Sequence, residues 1–168
     1  MGEDGSAGAR ALYGADTGNP DYSVTTFRRT GKSGEYSTHG VIAFYNSNDT
    51  RITSTFEDSD GAVGYQVSKG QTIKVEFGLE SFGERNTSVR NDVYLSDNRT
   101  ISSSDTLLKT NHSDLGTNTV YYGIRTITLP SNLTSGDVYY IGVIIDRDNE
   151  VAERDETNNK AYVPIKIK

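Results

Sequence analysis

The chain has 168 residues, with 23 acidic against 17 basic side chains, a net charge of −6, and neither cysteine nor tryptophan. That length fits one domain, the negative charge argues against nucleic-acid binding because it repels a phosphate backbone, and the lack of cysteine excludes thiol catalysis, zinc–thiolate sites and disulfide bracing. Apolar residues make up 33% of the chain, enough for one core, while 17 glycines and 11 tyrosines suit short strands joined by polar turns.

The start, Met1-Gly2-Glu3-Asp4-Gly5-Ser6, reads as an added start on an internal fragment, and residues 1 to 20 read as a disordered linker. Order is expected from Asp21, where Tyr22, Val24 and Thr26 alternate in a short strand. Val41, Ala43 and Tyr45 then form one face of a strand and Ile42 and Phe44 the other. Asn46 to Asp49 is a turn signal, and Ile52, Ser54 and Phe56 follow, so a hairpin is predicted here. Asp58-Ser59-Asp60-Gly61 reads as a second turn.

The clearest strand covers residues 71 to 80. Ile73, Val75, Phe77 and Leu79 point inward and Thr72, Lys74, Glu76 and Glu80 outward, a register that a one-residue slip would ruin. Residues 88 to 96 repeat this, with Val89, Val93 and Leu95 inward and Arg90, Asp92 and Tyr94 outward; a polar stretch with Leu107 and Leu108 comes next. Residues 119 to 129 form a further strand whose apolar phase shifts between Ile124 and Ile127, which predicts a bulge. Residues 138 to 145 are apolar on both faces and predict a central strand, and Ala161, Val163, Ile165 and Ile167 form the inner face of the last one. No segment has helical periodicity, and no apolar run nears the roughly 20 residues that span a bilayer. The pattern is that of an all-β sandwich or barrel without membrane insertion.

Several stretches occur in a familiar order: Lys69 to Glu80, Asp92 to Asp97, Asp105 to Leu108, Leu129-Pro130 to Gly136, Tyr139 to Gly142, and Asp146 to Asn159. Together they resemble the cell-adhesion-related domain of bacteria, CARDB. The resemblance implies an immunoglobulin-like β-sandwich of about seven strands, found as a module in secreted and surface proteins. It brings no catalytic residues with it. The family's first strand would match Asp21 to Val24, and the stretch of about 36 to 65 would then be an inserted β-hairpin within a domain covering 21–168.

Between Asp146 and Glu156 the carboxylates of Asp146, Asp148, Glu150, Glu153, Asp155 and Glu156 crowd together. One reading is a calcium site, since calcium gathers several oxygens, although the spacing is not that of an EF-hand. The other is a turn in which Val151 plugs the core and Asn158 and Asn159 bond backbone groups. Ser96 to Arg99 with Asp105 reads as a tight loop capped by Asp105. Outward Tyr94 and Tyr162, with one member of each pair Tyr121-Tyr122 and Tyr139-Tyr140, read either as cross-strand pairs or as an exposed patch for protein contact. The two histidines, His39 and His112, lie far apart, and no Gly-x-Ser-x-Gly elbow exists. The functional expectation is a non-catalytic extracellular or cell-surface module, a monomer or part of a tandem array. It would bind a protein or carbohydrate partner through the hairpin, with Phe44, Tyr45 and Phe56 as contacts and calcium as the one candidate cofactor. A passive spacer is the alternative.

Overall fold

The alternation of Ile73, Val75, Phe77 and Leu79 becomes the central strand of one sheet. The computed structural model describes residues 19–29, 39–83, 87–117 and 119–168, so the predicted linker lies almost wholly outside the described residues. Among these, twelve strands occur. In chain order they are β1 (Asp21–Thr25), β2 (Phe27–Arg29), β3 (His39–Val41), β4 (Phe44–Asn46), β5 (Thr55–Glu57) and β6 (Val63–Val67), then β7 (Thr72–Phe82), β8 (Thr87–Ser96), β9 (Thr106–Leu115), β10 (Thr119–Thr128), β11 (Val138–Ile145) and β12 (Lys160–Ile167).

Two sheets carry the fold. In the smaller, β10 runs antiparallel along β7 from Thr119 opposite Ser81 to Thr128 opposite Thr72. The other edge of β7 is shared end to end by β1, with Val24 opposite Leu79, and β4, with Phe44 opposite Val75. The larger sheet has the order β5-β6-β12-β11-β8-β9, and β6 and β12 run parallel while its other pairs are antiparallel. A short ribbon joins β2 to β3. Between the sheets lies one core, in which Ile73, Val75, Phe77 and Leu79 of β7 join Val93, Ile141, Val143, Val163 and Ile165 of the larger sheet. All of these are at most 2% exposed, so each excludes water from both layers at once.

The two-sheet all-β architecture agrees with the sequence. The strand count exceeds the expected seven because residues 27 to 67 supply five short strands instead of one hairpin. The tip of that hairpin does pair: Ile52 N donates to the Phe44 carbonyl and Asn46 N to the Thr50 carbonyl, both at 2.8 Å. Its arms then part. β4 joins β7 in one sheet, with Phe44 opposite Val75, and β5 joins β6 in the other, with Phe56 opposite Gly64.

A second, smaller core sits on the outer face of the larger sheet. Tyr94, Ile101, Tyr140 and Ile144 are buried there, with Val138 and Tyr162 packed against them. The loop between β8 and β9 makes this possible by laying Ile101 on Gly142, where a Cβ would come within 2.4 Å of the isoleucine side chain. Arg99 from the same loop lies over the Tyr140 ring at 5.7 Å and pairs with Asp58 at 3.1 Å and Asp60 at 2.7 Å. Asp105 caps the loop by accepting from Ser102 N at 2.7 Å, as expected. Of the tyrosines read as outward, Tyr94 is 2% exposed, and Tyr140 and Tyr162 meet edge to face at 5.3 Å, whereas Tyr121 is half exposed.

Two further expectations need correction. β10 has an unbroken register with β7, so its phase shift is not a bulge; Ile124 faces solvent and Arg125 takes the inward position opposite Val75. Burial pushes the Arg125 pKa down, and the guanidinium donates to Asn91 Oδ1 at 2.9 Å and the Gly123 carbonyl at 2.7 Å. Glu76 and Glu80, read as outward, are buried at 2% and 7% exposure on the far face of β7, where they accept from Ala43 N and the Ser23 hydroxyl. The polar stretch with Leu107 and Leu108, to which the sequence assigned no element, forms the edge strand β9.

Candidate functional site

Two chemically distinct regions lie at opposite ends of β12. At its start is the acidic loop. Asp146 is 4% exposed and has a positive φ of 47°; its two carboxylate oxygens accept from Glu150 N at 3.1 Å and Val151 N at 3.0 Å. This folds the loop back so that Val151 enters the core at 6% exposure, as the turn reading required. Asp148 pairs with Arg90 at 2.7 Å. Glu153 accepts from Tyr22 N in β1 and from Asn159 Nδ2, and Glu156 accepts from Glu153 N at 3.0 Å. Asp155 accepts from Thr157 N at 2.8 Å.

The predicted calcium ligands are thus brought near one another in sequence but turned to different N–H and guanidinium donors. Among the described residues no group of three or more His, Cys, Asp or Glu side chains is arranged to hold a metal ion. The asparagines also act differently from expectation, Asn158 Nδ2 donating to Asp21 Oδ1 and Asn159 Nδ2 to Glu153 Oε1, both side-chain contacts. The result is a clasp that ties β1 to the last turn, reinforced by Arg154 N donating to the Pro20 carbonyl and Val24 N to that of Asn158. Burial raises the Glu153 pKa to about 7, with Glu156 and Asp146 adding repulsion against the donors' opposing effect.

At the other end of β12 is a cleft of about 480 Å³. Its floor begins at the β4–β5 turn, where Asp49 adopts φ of 67° and Asn48 Oδ1 accepts from Thr50 N at 3.2 Å. This turn places Asn46, Thr50, Arg51 and Ile52 on the cleft, and Thr53 and Ser54 continue it toward β5. Gln66 and Ser68 enter from the end of β6, Gln71 from the start of β7 and Lys168 from the end of β12. Gln71 is locked, accepting from Ser68 N at 2.8 Å and donating to Asn46 Oδ1 at 2.9 Å. The turn's single carboxylate, Asp49, is drawn away to Lys74 at 2.6 Å. Neither Arg51 nor Lys168 has a carboxylate partner among the described residues. The Arg51 guanidinium stands close enough to the buried Tyr65 hydroxyl to oppose the upward pKa shift that burial imposes there.

Of the three predicted partner contacts, Phe44 is 0% exposed and stacks on Tyr65 at 4.7 Å with an interplanar angle of 17°. It is a core residue and closed to a partner, because its strand joins β7 with Val75 opposite. Tyr45 and Phe56 are partly exposed, on different sheets. The cleft beside them went unnoticed in the sequence. Its residues are almost all polar, come from three separate stretches, and carry no spacing signal except a lone arginine after a turn.

The CARDB family model matches residues 46–163. The chain belongs to the CARDB family. The match runs from the cleft turn to β12 and takes in the last two-thirds of the stretch read as an insertion. Among solved structures, a CARDB domain from Pyrococcus furiosus, crystallised in complex with di-metal ions, is 18% identical with a TM-score of 0.55; the alignment covers 91% of this chain and 97% of that one. A solution structure of the same archaeal domain gives 16% identity and a TM-score of 0.46, covering 89% and 95%. A domain of a protein described as a cell surface protein from Methanosarcina acetivorans gives 17% and 0.41, covering 60% and 78%. No curated protein matches the chain.

Proposed function

We propose that this CARDB domain is a non-catalytic accessory module of a larger secreted or cell-surface protein and that it binds a protein or glycan partner at the polar cleft. The observation that carries this reading is the pair of exposed cations, Arg51 and Lys168, in a cleft with no acidic side chain in its lining on a chain of net charge −6. An anionic group that enters the cleft meets no competing side-chain carboxylate there. A non-catalytic role is further supported by the site's contents, since amides, hydroxyls and two cations offer neither a general base nor a nucleophile with an activating partner.

The fluorescently labelled protein, applied to a glycan array and to a panel of intact bacterial surfaces, tests this. We expect retention on at least one class of surface, and loss of it when Ser54→Trp fills the cleft. Blank arrays and no retention by any surface would leave the spacer reading. One observation speaks for that second reading: β1 begins beside the acidic loop, while β12 ends beside the cleft, about 26 Å away for an eight-residue strand. A chain that enters at one end and leaves at the other extends an array by a full domain length.

A further inference from the structure

The cleft's chemistry is specific enough to name a ligand class, and the inference rests on the binding-module reading above. We propose that the cleft takes an acidic oligosaccharide, one whose sugars carry uronate carboxylates or sulfates.

Three features of the site select this class. The first is charge. Arg51 and Lys168 lie in the lining, and Lys69 and Lys166 flank it on the β6–β7 turn and beside Gln66 across the β6–β12 pair. None of the four has a carboxylate partner among the described residues. A guanidinium held by a turn is suited to a carboxylate or sulfate, which it grips with two parallel N–H donors.

The second feature is the neutral lining. Amides and hydroxyls from Asn46, Ser54, Gln66, Ser68 and Gln71 supply both donors and acceptors, which is what a ring of sugar hydroxyls requires. Gln71 is already fixed by two hydrogen bonds, so part of the ordering cost of binding is met before the ligand arrives.

The third feature is what the lining lacks. It contains no aromatic ring, so a neutral sugar has no stacking platform, and its single apolar residue, Ile52, is 7% exposed. A peptide partner needs apolar anchor pockets at the centre of its contact, and the cleft offers none. Recognition therefore falls to charge and hydroxyl hydrogen bonding together.

Isothermal titration with oligosaccharides of hyaluronan and of polygalacturonate, with a sulfated oligosaccharide, and with neutral dextran oligomers as control tests the proposal. We expect the acidic sugars to bind and the neutral ones not to. Affinity should fall at least tenfold between about 50 and about 300 mM salt, as screening acts on exposed cations. Arg51→Gln and Lys168→Gln should each weaken binding several-fold and together abolish it, with the melting temperature unchanged. A Gly-Ser extension after Lys168 moves the terminal carboxylate away from the cleft and should bind at least as well.

Binding of acidic sugars that the double variant leaves intact would overturn the assignment of the cleft. Equal affinity for polyglutamate peptides would overturn the sugar class and point to an acidic protein. No binding of acidic sugars, with retention on surfaces still present and still lost in Ser54→Trp, would overturn this inference alone; no retention anywhere would remove the binding-module reading as well.

Discussion

The two ends of β12 hold opposite charge and use it in opposite ways. At the acidic end most of the carboxylates have an internal donor: Asp146 holds two backbone N–H groups, Glu153 holds β1 through Tyr22 N, and Asp148 holds Arg90. At the cleft end the charges of Arg51 and Lys168 have no carboxylate answer among the described residues. A dense run of like charge in sequence thus became structure, while two cations 117 positions apart, at 51 and 168, became the candidate site. Charge density along the chain is a poor guide to ligand binding here, because internal N–H donors can satisfy most of an acidic turn.

That contrast can be broken at its strongest point by Asp146→Ala. It removes a buried carboxylate that accepts two backbone N–H bonds and leaves both donors orphaned, and we expect a loss of about 3 kcal/mol in urea unfolding. A loss below about 1 kcal/mol would mean that the acidic loop is not a structural clasp. Next in size is the pH response of Glu153. The unfolded chain releases this proton near the ordinary glutamate value of 4.5, whereas the folded protein holds it to about 7. Between those values the folded state binds more protons, so the contribution is full below about 4.5 and is lost as pH rises through 7. The amplitude should be on the order of 1–2 kcal/mol after screening on its exposed side. Glu153→Gln should flatten that slope in melting curves taken from pH 4.5 to 8.

The cleft side should show the reverse behaviour. Arg51→Gln and Lys168→Gln should each change stability by no more than about 0.5 kcal/mol, as expected of exposed side chains outside any ion pair, while altering ligand binding. A large destabilisation would make these residues part of the fold and weaken the functional reading. The smallest expected effect is that of calcium. Millimolar calcium should leave the melting temperature unchanged, since most of the loop carboxylates already face donors; a rise of several degrees, reversed by chelator, would return the acidic loop to the list of sites.

How much of this was legible in the sequence follows from where each strand lies. The apolar positions of the strands around 73–79, 138–145 and 161–167 were readable, because a strand buried on one face alternates and one buried on both is largely apolar; Glu76, buried on the second face of its strand, was not. The edge strand β9 was not. Of its ten residues only Leu115 is buried, so no face of it carried an apolar pattern. Arg125 misled for a related reason: its side chain takes an inward position with Asn91 as acceptor, and a sequence pattern cannot distinguish that from a shifted register.

The sequence by itself determined a disulfide-free, all-β fold with no catalytic motif, and through the order of its stretches it pointed to the family. For the acidic loop it offered two readings, and the structure has the turn in which Val151 plugs the core. Only the tertiary structure decided that the hairpin arms part into two sheets, that Phe44 belongs to the core and that Tyr94 is buried in a second cluster with Ile101 and Tyr140. The cleft belongs to that second group. Local periodicity records which face of a strand meets the core, but a polar site assembled from residues 46–54, 66–71 and 168 has no periodicity to leave, and it exists only once four elements end at the same place.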